Sequence, residues 1–119
     1  MKIMTNKIFL TGILGKDPVI KQFDNGNKRA TLIIAVHDPY INAAGHKIIT
    51  SQWHKITAWG RTAEQVERML RKGSKISLEG NLRKYQIQDH NLRSKKIEEI
   101  ILDQFEIHVE FLQKELVRA

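Results

Sequence analysis

The stretch that decides the fold is Trp53-His54-Lys55-Ile56-Thr57-Ala58-Trp59-Gly60. Successive side chains of a β-strand point to opposite faces, so a strand here has two distinct sides. One side carries Trp53, Lys55, Thr57 and Trp59, and the other carries His54, Ile56 and Ala58. Rings alternating with positive charge are typical of surfaces on which single-stranded nucleic acid stacks its bases. The alternative is that both indoles belong to the core and Lys55 extends to water.

The charge of the chain favours a polyanionic partner. The 119 residues carry a formal net charge of +7. Residues 1–94 hold 16 Lys and Arg against 7 Asp and Glu, whereas residues 95–119 hold 4 against 6. The basic surface therefore belongs to the body of the protein, as expected for binding to phosphates.

Several classes of protein are disfavoured by composition. The chain has no cysteine, which excludes disulfides, cysteine-containing zinc sites and thiol nucleophiles. The five histidines show no ligand spacing, and His54 is interpreted as structural, so we expect neither a metal nor another cofactor. No signal peptide or membrane-length apolar run is present, which predicts a cytoplasmic, nucleoid-associated protein without membrane contact.

Alternating strand-length segments dominate the pattern. A first strand around Ile8 and Leu10 ends in a glycine-bearing bend, and Asp24-Asn25-Gly26-Asn27 predicts a tight turn. Residues 29–38 form the next strand, and a long loop over 38–45 precedes the tryptophan strand. The last two strands are predicted over residues 75–85 and 97–107.

A single helix is expected between the tryptophan strand and the last two strands. Thr62 and Gln65 fit a capping box, and Gly73 suits a helix C-terminus. The apolar stripe of this helix is Ala63, Val66, Met69 and Leu70. A curved sheet closed by one helix predicts an all-β fold with one helix, a five-stranded Greek-key barrel of the OB-fold type.

Residues 1–107 are thus predicted to form one OB-fold domain for single-stranded nucleic acid. Residues 108–119 are a short C-terminal extension, either disordered or a short helix through Phe111, Leu112, Leu116 and Val117.

Several segments resemble the bacterial single-stranded DNA-binding proteins, in that family's order and spacing. They are Asn6 to Gly12, Leu14-Gly15-Lys16-Asp17-Pro18, Trp53-His54-Lys55, Trp59-Gly60-Arg61, Leu70-Arg71-Lys72-Gly73-Ser74 and Glu79-Gly80-Asn81-Leu82-Arg83. The resemblance covers roughly residues 5 to 107. It implies a non-enzymatic OB-fold protein that binds single-stranded DNA without sequence preference in replication, recombination or repair.

The resemblance also implies assembly and partners. The family is usually a homotetramer, with a dimer as the alternative here, and the first strand is the expected edge for assembly. Full-length members end in an acidic, phenylalanine-tipped peptide that recruits other proteins. The printed sequence ends at Val117-Arg118-Ala119, so recruitment through such a tail is not expected.

The candidate stacking residues are Tyr40, Trp53, Trp59 and Tyr85. Tyr40 stands where the family usually has tryptophan, so the resemblance implies a smaller stacking ring. Another tryptophan of the family falls on Ile87, which has no π face, and Tyr85 lies two residues earlier on the same side of a regular strand. The candidate phosphate ligands are Lys7, Lys55, Arg61, Lys72, Arg83 and Lys84, followed by Lys16, Lys21 and Arg29.

Three other functions remain open from the residues alone. The first is a nuclease, although the carboxylates show no convergent pattern. The second is an OB-fold module for RNA, because base stacking does not by itself distinguish the two nucleic acids. The third is a replication or primosome accessory whose tryptophan face meets a protein partner.

Overall fold

The structure is a computed structural model that describes residues 6–109. Its elements in chain order are β1 (Asn6–Leu14), β2 (Val19–Gln22), β3 (Lys28–Ile41), β4 (Lys47–Trp59), α1 (Gly60–Met69), β5 (Lys75–Gln88) and β6 (Ser94–Ile107). The helix that the sequence predicts for residues 111–117 lies outside the described residues.

Five of the strands close into a barrel. The sheet order is β1-β5-β6-β4-β3-β2, and β1 also pairs with β3 through Ile13 and Leu14. The contact between β4 and β6 is parallel and joins Ile56 to Ile100, whereas the other pairings are antiparallel. The predicted five-stranded barrel with one helix is confirmed. The short strand β2 was not predicted, and it adds to the outer edge of β3.

Alternation places the core where the sequence predicts it. Leu32, Ile34, Ile56 and Ile76 are completely buried on the inner faces of their strands. The helix α1 closes the barrel by adding Ala63, Val66 and Leu70 to the same cluster. Met69, which the sequence assigns to that stripe, is 53% exposed instead, because it lies on the last turn of the helix.

Two glycines allow strands to approach each other within the barrel. A Cβ on Gly12 would lie 2.6 Å from the carbonyl oxygen of Ala35, and a Cβ on Gly80 would lie 2.6 Å from that of Ile101. The ladder between β5 and β6 also has a bulge at Glu79/Gly80. Glycine therefore stands where neighbouring strands of the barrel come closest together.

The helix boundaries differ from those predicted. The helix begins at Gly60, after an extended Trp59, and no side chain caps its N-terminus. The expected capping box of Thr62 and Gln65 is therefore wrong, because both residues already lie inside the helix. The helix ends at Met69, so Gly73 lies in the turn that leads to β5.

The expected loop over residues 38–45 is also wrong. The strands β3 and β4 stay paired out to Ile41 and Lys47, and Pro39 lies opposite Ile49. The tight tip is held by Asn42, whose Oδ1 accepts hydrogen bonds of 3.0 Å from the backbone N–H groups of Ala44 and His46. We call residues 37–52 the β3–β4 arm and residues 83–96 the β5–β6 arm, since nearly all of their side chains are exposed.

Candidate nucleic-acid interface

The outer face of β4 exposes both indoles. Trp53 is 61% exposed and Trp59 is 44% exposed, and Lys55 lies between them on the same side of the strand. His54, Ile56 and Ala58 turn inward, and the last two are completely buried. The alternative that both indoles form part of the core is therefore excluded. Two rings and a lysine share one accessible face.

The ring of Trp53 lies across the backbone of Gly15, in the segment that follows β1. A Cβ on Gly15 would come 2.4 Å from Cζ3 and 2.8 Å from Cη2 of the indole. No side chain fits in this space, so the absence of one at Gly15 determines where the ring rests. The sequence predicted a glycine-bearing bend after the first strand, and only the fold shows that Gly15 contacts Trp53.

We expect Gly15→Ala to displace the Trp53 ring. The change should weaken binding of a thymidine oligomer by up to about tenfold, the contribution of one stacked base. The free energy of unfolding should change little, because the crowded atoms belong to the end of an exposed side chain. Fluorescence titration and thermal unfolding measure the two effects.

The control for this substitution is a double-mutant cycle with Trp53→Ala. If Gly15 acts through the indole, Gly15→Ala should cost nothing further once the ring has been removed. Additive losses would show that Gly15 matters for another reason.

Trp59 lies in a cluster of rings and cations. The ring of Phe23 stacks on it, with centroids 6.1 Å apart and planes inclined by 22°. The guanidinium of Arg29 lies 5.9 Å from the Trp59 ring centroid and 5.6 Å from that of Phe23. Sequence reasoning missed Phe23, although its position two residues after Lys21 and just before the Asp24 turn was a usable signal.

Tyr40 lies on the β3–β4 arm and is exposed, but it is on the other side of the ribbon from Trp53. It pairs with Ile48, whereas Ala35, five residues earlier on β3, pairs with Trp53. An odd separation along a regular strand places side chains on opposite faces. The structure therefore does not bring Tyr40 onto the face that carries the two indoles.

Tyr85 lies on the β5–β6 arm. It pairs with Ile97, Ile87 pairs with Lys95, and the ladder between these positions is regular. Tyr85 and Ile87 thus share one face of β5, as the sequence predicts, and both are exposed. Arg83 shares this face, whereas Lys84 lies on the opposite one.

The candidate phosphate ligands differ in their existing partners. Lys7 Nζ lies 3.0 Å from Glu79 Oε1, and Lys84 Nζ lies 3.7 Å from Glu98 Oε1. The hydrogen bond from Lys7 raises the pKa of the Lys7 ammonium and lowers the pKa of the Glu79 carboxylate, which also accepts a hydrogen bond from Gln104. Lys55, Arg61, Lys72 and Arg83 have no ion pair within residues 6–109.

Arg61 and Lys72 lie at the two ends of the helical segment. Arg61 is exposed at the start of α1, and Lys72 is exposed in the turn after the helix. The backbone N–H of Lys72 donates a 2.7 Å hydrogen bond to Asp17 Oδ1, which ties this turn to the segment between β1 and β2. Asp17 therefore holds this turn in place.

We expect Lys55→Ala and Lys7→Ala to have different effects on DNA affinity. Loss of Lys55 should weaken binding about fivefold, because a cation is removed from the face of the indoles. The slope of the logarithm of affinity against the logarithm of salt concentration should become less steep by about 0.7. Loss of Lys7 should change affinity less than about twofold, since Glu79 already neutralises it. Titrations at several salt concentrations measure both, and equal losses would contradict the assignment.

A closed barrel with one helix and an exposed aromatic, basic outer face defines the class of OB-fold domains that bind single strands. The chain matches the model of the single-strand binding protein family over residues 5–112. It belongs to that family.

Known relatives agree with this assignment. A curated single-stranded DNA-binding protein of Bacteroides thetaiotaomicron is 38% identical over 104 residues, which cover 86% of this chain and 65% of the relative. A Plasmodium falciparum SSB solved in complex with single-stranded DNA has a TM-score of 0.76 at 26% identity, covering 90% of this chain and 97% of that one.

A deletion mutant of the single-stranded DNA-binding protein from Thermus aquaticus shares the fold, with a TM-score of 0.75 at 23% identity. It matches 87% of this chain and 50% of its own. The predicted OB-fold is confirmed.

The chain spans 65% of the length of the curated bacterial relative and half of the Thermus aquaticus chain. Within the described residues, no helix is long and apolar enough to cross a membrane.

Proposed function

We propose that this chain binds single-stranded DNA without sequence preference and is not an enzyme. The observation that carries the proposal is the pair of exposed indoles, Trp53 and Trp59, on the outer face of β4. Lys55 lies between them and has no ion pair within residues 6–109. Bases stack on the rings and cations hold the phosphates, so neither contact depends on base identity. The Plasmodium falciparum relative in complex with single-stranded DNA supports this ligand.

The cations and aromatic residues of the two arms extend this surface. Tyr85 and Arg83 share one face of β5, and we propose that they bind DNA there. Tyr40 is proposed as a stacking ring for a DNA strand that passes around the far side of the β3–β4 arm.

The other candidate cations contribute to phosphate binding. Arg61 and Lys72 contact phosphates near α1, and Lys7 and Lys84 contribute only where DNA displaces Glu79 and Glu98.

Tryptophan fluorescence tests the function directly. The chain has two tryptophans, and both lie on the proposed surface. Saturating oligo-dT should quench their emission, and unchanged emission would disprove stacking. A matched RNA oligomer should bind more weakly, whereas a preference for RNA would favour an RNA-binding role. Binding that does not depend on salt would favour a protein partner.

We further propose that the protein assembles through the edge of β1. Asn6 to Gly12 pair with β5 on one side, and within residues 6–109 their other edge has no strand partner. Phe9, 70% exposed, lies on this strand. An unpaired strand edge with an exposed aromatic residue is suited to pairing with a second copy.

Light scattering measures this assembly. The mass should be a multiple of the 13.8 kDa chain, with a tetramer expected and a dimer as the smaller alternative. A monomer at micromolar concentration would overturn the proposal.

A protein that covers unpaired chromosomal DNA would act at the nucleoid, in replication, recombination or repair.

A further inference from the structure

Three strands place a row of side chains across the outer face next to Trp59. Lys21 on β2 lies opposite Arg29 on β3, and Arg29 lies opposite Trp59 on β4. Directly opposed residues of a sheet project to the same side. Phe23, which follows the end of β2, completes the cluster by stacking on Trp59. We call Lys21, Phe23 and Arg29 the β2 cluster.

No carboxylate among the described residues balances the charges of the β2 cluster. Like charges directly opposite each other destabilise a sheet, and Lys21 and Arg29 stand in this relation. Neither of them forms an ion pair with a carboxylate among residues 6–109. Their contacts are instead with rings, since Lys21 Nζ lies 5.0 Å and Arg29 Cζ 5.6 Å from the Phe23 centroid. A bound phosphate would neutralise both cations.

The rings of Phe23 and Trp59 both remain accessible to a ligand. Their separation of 6.1 Å is that of an offset pair, since aromatic pairs commonly have centroids about 4.5–7 Å apart. Trp59 is 44% exposed and Phe23 is partly exposed, although both rings touch each other. Part of each ring is therefore open to a stacked base.

We propose that the β2 cluster is an additional nucleotide subsite, in which a base stacks on Phe23 while Lys21 and Arg29 hold the adjoining phosphate. The subsite continues the surface of Trp59 across β3 to β2, and it rests on the proposed binding of single-stranded DNA. Its ligand is a nucleotide unit of the strand that already covers β4. Recognition is independent of base identity, because every base has a π face.

The test compares Phe23→Ala, Phe23→Leu and Phe23→Tyr with Met69→Ala, an exposed apolar control outside the surface. Anisotropy of labelled oligo-dT should show about tenfold weaker binding for the Ala and Leu variants, the loss of one stacked base. Phe23→Tyr and Met69→Ala should bind like the wild type. Lys21→Ala should make the slope of the logarithm of affinity against the logarithm of salt concentration less steep by about 0.7.

Phe23→Leu separates a base platform from a packing role, because leucine still covers Trp59 but has no π face. If Phe23→Leu binds as the wild type does while Trp53→Ala binds weakly, the subsite is wrong and the proposed function stands. If wild-type protein does not bind oligo-dT at all, both fail. Thermal unfolding of each variant confirms that it is folded.

Discussion

Replacing both Trp53 and Trp59 by alanine should lower the affinity for oligo-dT by about two to four orders of magnitude. Each stacked base contributes ~1–3 kcal/mol, and the two rings lie far enough apart on β4 to act nearly independently. Because both rings are exposed, their loss creates no cavity in the core. The fold should therefore survive.

Anisotropy of a labelled oligomer is the appropriate measurement, since the double variant has no tryptophan. Met69→Ala is the matched control, because it removes an exposed apolar side chain from α1. Each single variant should lose about tenfold to a hundredfold in affinity, and the free-energy losses should add. A double variant that binds as tightly as the control would exclude base stacking on β4.

Gly80→Ala should destabilise the barrel by about 3 kcal/mol, at the upper end of the usual cost of overpacking. The new Cβ would lie 2.6 Å from the backbone oxygen of Ile101 and 3.2 Å from Ile100 Cγ2. The first contact is with main chain, so no side-chain rotation relieves it. Thermal unfolding should show a decrease in Tm on the order of 10 °C.

The control is Gly26→Ala in the turn between β2 and β3. Gly26 has a φ of 87°, and a Cβ there would meet no atom of residues 6–109 within 4 Å. Its substitution costs only the conformational strain of the left-handed region, about 1–2 kcal/mol. If Gly80→Ala is as stable as the wild type, the strands can separate there without cost. Both variants must be compared at one protein concentration, because the assembly proposed above would raise the apparent Tm.

The alternation of polar and apolar residues correctly predicted the inner face of the barrel strands. The buried residues Leu32, Ile34, Ile56 and Ile76 recur with period two in β-branched and aliphatic segments. A one-residue shift in register would turn them all outward, so the pattern itself specifies the inner face. The same rule places Trp53 and Trp59 together on the face opposite Ile56, and the structure shows that this face is exposed.

The sequence predicted the ends of the strands and of the helix less accurately. Pro39 and Asp38 are typical of loops, yet they lie in β3 because the pairing with β4 continues beyond the barrel. The capping box failed at Thr62 for a related reason. The chain enters the helix directly from an extended Trp59, and Gly60 with a φ of 59° makes the bend. In both cases a tertiary or neighbouring constraint outweighed local propensity.

The sequence by itself determined the strand pattern, the position of the helix, the basic body and the placement of both indoles on one face of a strand, because these depend on periodicity and composition. Only the tertiary structure decided which residues from distant segments meet. It placed Gly15 beneath Trp53, Phe23 against Trp59 and Glu79 beside Lys7. Such contacts arise from strand register and barrel closure, which no local pattern encodes.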